Sequence, residues 1–229
     1  LIFSTSVAPN VMFTLDDSGS MMFEITPESL SPNGTESSWD LTPDRGNWLI
    51  YTFPLPSGGQ VYSAGGTYYK DANASVVNFS STSLAAARYR TAALNVSYYN
   101  PDVTYGAWFD PSGNLAKASP KKAYYNPMLP DNGSIDLTAD NTVKTYWLDD
   151  DGKGFSEKKV TFYPALYYRY DSTLSGSNAS TSSLKCFKRY EIRSGSTFPH
   201  NGKRMDCASS ASCTYDEEIQ NFANWFQYY

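Results

Sequence analysis

Asp16-x-Ser18-x-Ser20 puts one carboxylate and two hydroxyls on a single turn. These are hard oxygen donors of the kind Mg²⁺ or Ca²⁺ takes, and a site with so few protein ligands keeps coordination positions open for water or for an acidic group of a partner. A Ser/Gly turn after a strand in which Asp16 merely caps a helix is the plainer reading of the same residues. A second candidate is sulfur. Cys207 and Cys213 bracket a Ser/Ala loop that a disulfide closes easily in an oxidising compartment, which leaves Cys186 free or paired elsewhere. Zinc is the competing use of these cysteines, but the chain has no CxxC and a single histidine, His200. That His sits in a Pro/Asn-Gly loop and no nucleophile-elbow glycine pattern surrounds any serine, so no catalytic triad is expected. Asp149-Asp150-Asp151-Gly152-Lys153-Gly154 approaches a calcium loop, yet Lys153 stands where an oxygen ligand belongs, and a solvated acidic turn is the better reading.

The elements that must position these groups can be sketched from pattern. Asn10 to Leu15 is a short apolar run ending at Asp16, read as a buried strand that delivers the metal motif to the carboxyl edge of a sheet, where ligands of open α/β folds bind. At the other end, Thr214 and Glu217 form a capping box, followed by Ile219, Phe222, Ala223 and Phe226 at helical spacing. This helix reaches Tyr229 with no Gly, Pro or terminal cation, which predicts that the parent protein continues. Between the two, Gly-, Pro- and Asn-rich turns alternate with short aromatic or β-branched runs, such as Trp48–Phe53, Lys144–Leu148 and Lys159–Tyr163. One internal helix is expected from Thr82 to about Asn95, and Ser172 to Ser183 reads as a flexible polar loop.

Composition narrows the function classes. With 229 residues, 41% hydrophobic and 16% aromatic, the chain has material for one large domain or a core with a long insertion. Eighteen Lys and Arg against 23 Asp and Glu leave a net charge of -5, which argues against nucleic acid as a partner. No apolar run is long enough for a transmembrane segment. The absent initiator Met fits a mature secreted chain or a trimmed one. Sequons occur at Asn33, Asn73, Asn78, Asn95, Asn132 and Asn178, and with so much Ser and Thr several arise by chance. Some of the 19 Tyr and 5 Trp could stack on sugars, although most must fill the core.

Asp16-x-Ser18-x-Ser20 resembles the metal-ion-dependent adhesion site of von Willebrand factor A domains. More narrowly, Tyr89-Arg90, Tyr98 to Trp108 and Cys213 to Tyr229 resemble the amino-terminal region of the PilC/PilY family of type IV pilus tip-associated adhesins. The resemblance implies an α/β, partial von Willebrand factor A-like (Rossmann-type) domain interrupted by a large β-rich, loop-rich insertion. On this reading residues 1–22 hold the first strand and metal motif, residues 23–213 the aromatic-rich insertion, and residues 214–229 the first helix. It makes Asp16, Ser18 and Ser20 ligands of Mg²⁺ or Ca²⁺, with a further Thr and Asp expected beyond the chain's end. It implies a secreted protein at the cell surface and pilus tip, associated with the outer membrane, that is not an enzyme. Its partners would be minor pilins and a host receptor or abiotic surface, and its roles adhesion, pilus biogenesis and twitching motility. The rivals are a purely structural module docking on minor pilins and an extracellular carbohydrate-binding protein, with a carbohydrate-active enzyme ranked last because it needs paired carboxylates.

Overall fold

A computed structural model describes residues 49–54, 62–64, 67–69, 74–110, 112–128, 130–150, 155–174 and 181–229. Asp16, Ser18 and Ser20, the strand expected to carry them and the middle of the Ser172–Ser183 loop lie outside these residues.

Fourteen short strands and two α-helices follow in chain order among the described residues. They are β1 (Leu49–Tyr51), β2 (Tyr62–Ala64), β3 (Thr67–Tyr69), β4 (Ala74–Val76), α1 (Leu84–Tyr89), β5 (Trp108–Phe109), β6 (Leu115–Ala116), β7 (Ala123–Tyr124), β8 (Ser134–Ile135), β9 (Asn141–Leu148), β10 (Phe155–Phe162), β11 (Leu166–Tyr170), β12 (Phe187–Glu191), β13 (Phe198–Pro199), β14 (Ser212–Cys213) and α2 (Tyr215–Tyr228). Most strands pair as small antiparallel hairpins: β2 with β3, β5 with β6, β7 with β8, β11 with β12 and β13 with β14. The one larger sheet runs β1-β4-β9-β10. Its long β9–β10 ladder is antiparallel from Leu148 opposite Phe155 to Asn141 opposite Phe162, whereas β1 joins β4 in parallel and β4 meets β9 only at Val76 and Trp147.

This arrangement overturns the expected α/β, von Willebrand factor A-like (Rossmann-type) fold. That fold needs several parallel strands with a crossover helix after each. Turn residues instead interrupt the apolar runs every few positions, so the chain folds back locally into hairpins. At the β5–β6 turn, for example, Gly113 at φ 82° supplies the left-handed conformation, and Asp110 accepts hydrogen bonds from the amides of Ser112 and Asn114. The internal helix is also shorter than its pattern predicts. Ser83 caps it by accepting from the Ala86 amide, but it ends at Tyr89, and Asn95 folds its side-chain amide back onto the Tyr89 carbonyl.

Helix α2 follows its pattern closely. Thr214 and Glu217 form the full capping box, and Ile219, Phe222, Ala223, Trp225 and Phe226 are buried. They do not cover a parallel sheet. They enter one aromatic core with Phe53, Phe79, Tyr98, Tyr99, Trp147 and Phe162, to which the β7–β8, β9–β10, β11–β12 and β13–β14 pairs contribute side chains. Rings meet mostly edge-on or tilted, as between Phe53 and Phe226 at 5.2 Å and between Tyr98 and Trp225 at 4.8 Å. Arg90, fully buried, ties the sheet to this core. Its guanidinium donates to the carbonyls of Asn78, Thr52 and Val77 and lies 3.8 Å over the Phe79 ring.

Candidate functional site

The richest polar chemistry in the described residues lies along one seam, where α2 meets residues 97–105, β11 and the loop from Pro199 to Cys213. The loop is closed at both scales. Cys207 and Cys213 form a disulfide, and the His200 ring bridges the loop's interior. The His200 Nδ1 must accept, because the Gly202 backbone N–H points at it at 3.1 Å. Its Nε2 faces the Ser209 carbonyl at 3.1 Å, so both ring nitrogens are engaged by the loop's own backbone. The ligand atoms of His200, Cys207 and Cys213 all lie within 4.8 Å of one another, a grouping that could hold a metal ion. Both sulfurs are nevertheless spent on the disulfide and both ring nitrogens on the backbone, so the zinc reading has no free donors at this place.

Arg204 is the centre of the seam. Its side chain is completely buried and uses all three nitrogens. Nε and Nη2 grip Asp206 at 2.7 Å each, while Nη1 donates to Glu218 at 2.9 Å, to the Pro101 carbonyl at 3.0 Å and to the Tyr99 hydroxyl at 3.3 Å. Burial works against the Arg204 charge, but Asp206, Tyr99 and Glu218 together outweigh it and raise its pKa. Burial likewise opposes ionisation of Asp206, and the bonds from Arg204 and Thr104 overcome it to lower that carboxyl's pKa. Glu218 behaves differently. Fully buried on α2, it is pushed above the usual carboxylate range by desolvation, and the Arg204 charge only partly compensates. The pair is unequal because burial weighs most on Glu218, and Arg204 with the Tyr99 and Tyr167 hydroxyls offsets it only in part, whereas Arg204 has two carboxylates to answer it.

The rest of the seam is amide chemistry. Asn221 donates from Nδ2 to the Tyr99 hydroxyl and the Val103 carbonyl and accepts from the Tyr105 amide. Asn224 accepts from the Ala118 amide and donates to the Tyr105 carbonyl, and the Trp225 indole N–H donates to Ser97. A helix thus satisfies the backbone of a loop that has no strand partner of its own. On the outer side, Asp102 holds Arg169 through two bonds at 3.1 and 3.0 Å and accepts from the Asn201 amide. Thr104 receives the Met205 amide and donates to Asp206. This scaffold fixes both neighbours of Met205, whose side chain is 92% exposed.

Of the residues expected to do chemistry, the structure brings together Cys207, Cys213 and His200, and it describes nothing of Asp16, Ser18 or Ser20. The acidic turn at Asp149 and Asp150 is anchored rather than open. Ser80 and Thr82 hydroxyls donate to Asp150, and Ser156 donates to Asp149. Two sequons are closed by packing: Asn78 and Asn95 are buried with their side-chain amides donating to Leu148 and Tyr89 carbonyls. Arg204, Glu218, Asn221 and Asn224 were not foreseen. Their signal was present in part, since Glu218, Asn221 and Trp225 recur at helical spacing as a second stripe on α2 beside the apolar one.

Fold and seam together define a small-hairpin, aromatic-cored region with a disulfide-closed loop latched to its final helix. Over its full length the chain is 24% identical to the type IV pilus biogenesis factor PilY1 of Pseudomonas aeruginosa (strain PAK). It spans 14% of that protein's length, so the likeness is a distant one to a part of a much longer chain. No family model matches the sequence, and no solved structure matches it. Among the described residues no helix is long and apolar enough to cross a membrane.

Proposed function

We propose that this chain is a binding and structural region of a type IV pilus-associated cell-surface protein, acting by docking and adhesion rather than by catalysis. The observation that carries the reading is the similarity of this chain, over its own length, to a part of a type IV pilus biogenesis factor. Packing gives it support of a different kind. The segments Tyr98 to Trp108 and Cys213 to Tyr229, on which the resemblance to pilus-tip adhesins rests, lie against each other through Tyr98–Trp225, Tyr99–Phe222 and Trp108–Tyr228. The finer reading adds a divalent cation, Mg²⁺ or Ca²⁺, held by Asp16, Ser18 and Ser20 and offered to an acidic group of a host receptor or surface; it rests on residue type and spacing alone. Minor pilins are the proposed partners, and twitching motility would follow from their assembly.

The test is genetic, in the organism that encodes this chain. Removing residues 49–229 from it is expected to reduce pilus number or surface attachment, and unchanged piliation and attachment would overturn the pilus reading. Asp16→Ala separates the finer alternatives. Normal pili with lost attachment support the metal-dependent adhesin, lost pili support the docking module, and attachment that survives both Asp16→Ala and a chelator removes the metal.

A further inference from the structure

Gln220, Asn224 and Tyr228 recur every four positions on α2 and so lie above one another along the helix. Gln220 donates to the Ala118 carbonyl, Asn224 accepts from the Ala118 amide and donates to the Tyr105 carbonyl, and the Tyr228 hydroxyl donates to the Ala107 carbonyl. This stripe clamps the chain on both sides of the β5–β6 hairpin. One face of the hairpin is taken by the helix, where the Trp108 ring meets Tyr228 edge-on at 4.6 Å. The other face is Phe109 paired with Leu115, 50% and 67% exposed.

Single exposed apolar side chains are ordinary, and charge is what sets this pair apart. From Val103 to Met128 three lysines, Lys117, Lys121 and Lys122, stand against one carboxylate, Asp110, in a chain whose net charge is -5. All three lysines are exposed, and none forms an ion pair among the described residues. Asp110 is turned onto the amides of its own loop, at Ser112 and Asn114. The lysines are mounted on a fixed turn: the Lys122 amide donates to the Ser119 carbonyl, the Leu137 amide donates to that of Pro120, and Lys122 stands 5.3 Å over the Tyr124 ring. An anionic bilayer meets both halves of this surface in one place. Its phosphates suit ammonium groups on flexible stems, and its acyl chains lie just beneath for a ring and a leucine. An acidic protein surface would answer the lysines and leave Phe109 and Leu115 against solvated carboxylates.

We propose that the β5–β6 hairpin and the turn after it form a peripheral membrane contact, in which Phe109 and Leu115 enter the headgroup region of an anionic lipid surface while Lys117, Lys121 and Lys122 hold its phosphates. The inference does not depend on the pilus reading.

Cosedimentation of the full chain with vesicles, of phosphatidylcholine alone or in equal parts with phosphatidylglycerol, tests it across a salt series. Binding is expected to the anionic vesicles only and to weaken as salt rises. Replacing the three lysines together by glutamine is expected to weaken it roughly a hundredfold, at about 1 kcal/mol for each lysine beside an anionic surface. Phe109→Ser with Leu115→Ser is expected to weaken it about tenfold through lost apolar burial, with the salt dependence unchanged. The five side chains are exposed, so both variants keep the wild-type Tm. Equal affinity for neutral and anionic vesicles, no binding to either, or binding that survives both variants overturns the proposal. Inorganic phosphate is expected to compete no better than chloride at matched ionic strength; if it displaces the vesicles specifically, the lysines hold a free anion and the lipid assignment fails. Capture on polyglutamate resin that matches vesicle binding and ignores Phe109→Ser with Leu115→Ser assigns the face to an acidic protein and also overturns it.

Discussion

One side of α2 rests on rings and the other on charge. Toward the core, Phe222, Trp225 and Phe226 meet Phe53, Tyr98, Tyr99 and Tyr125 at centroid distances of 4.8–6.2 Å. Toward the loop, Glu218 meets Arg204, and Asn221 meets Tyr99 and Val103. Both sides are equally dry, since Trp225, Phe226, Glu218 and Asn221 are all buried. They differ in what burial does. Apolar area gains about 25 cal/mol for each Å² removed from water, with little demand on orientation. The charged side starts from a desolvation cost and recovers it only when each donor finds its acceptor. Rings therefore supply stability to α2, and the polar side supplies the position of the 199–213 loop.

The largest effect should come from the apolar side. Trp225→Ala removes contacts with Phe53, Tyr98, Tyr99, Phe222 and Tyr229 and the bond to Ser97, and a loss of about 4 kcal/mol is expected in urea unfolding. A loss under about 1 kcal/mol would mean that the ring contributes shape and not stability. Next comes Arg204→Ala, which strands Glu218 without a counterion and should cost about 3 kcal/mol. The informative companion is Arg204→Met with Glu218→Leu. If the polar side serves position, the double variant recovers most of the stability, while limited proteolysis cuts the 199–213 loop faster than in the wild type. Equal losses in the single and double variants would show instead that the ion pair itself holds the fold.

The same contrast explains what the sequence disclosed. α2 was legible because capping residues and apolar spacing are local, and β9 and β10 because their aromatic and β-branched runs were long enough to signal. The Cys207–Cys213 loop was legible because its two ends are close in the chain. The overall fold was not. Strands of two or three residues carry no period, and the expectation of a von Willebrand factor A-like sheet came from residues near Asp16 that say little about how the aromatic stretch pairs. The seam was hidden for a further reason. Arg204 reaches Tyr99 and Pro101 across more than 100 positions, and nothing around Arg204 itself marks it as buried. A polar residue's burial depends on its partners, whereas an apolar residue's burial is written in its own side chain.

Thr214→Ala probes the joint between the two sides with the smallest change. Thr214 Oγ1 accepts from the Glu217 amide at 3.4 Å, a long bond, so the loss should lie near the low end for caps, about 0.5–1 kcal/mol. Glu217 is the stronger half of the box. Its carboxylate takes the Thr214 amide at 2.8 Å, the Thr214 hydroxyl at 3.0 Å and the Ala208 amide at 2.8 Å, joining the helix start to the disulfide loop. These bonds, the Thr214 amide first, hold the Glu217 carboxyl below its ordinary pKa. A lowered folded-state pKa contributes stability above the unfolded value, and that contribution fades as the pH falls through the folded one. Alanine at 214 deletes the hydroxyl donor and leaves both amides, so the Glu217 pKa should rise part of the way back. The cost of Thr214→Ala should consequently be greatest near neutral pH and shrink in acid. A cost that does not vary with pH would mean that the cap acts through its bond to the helix amide alone, with Glu217 serving the loop.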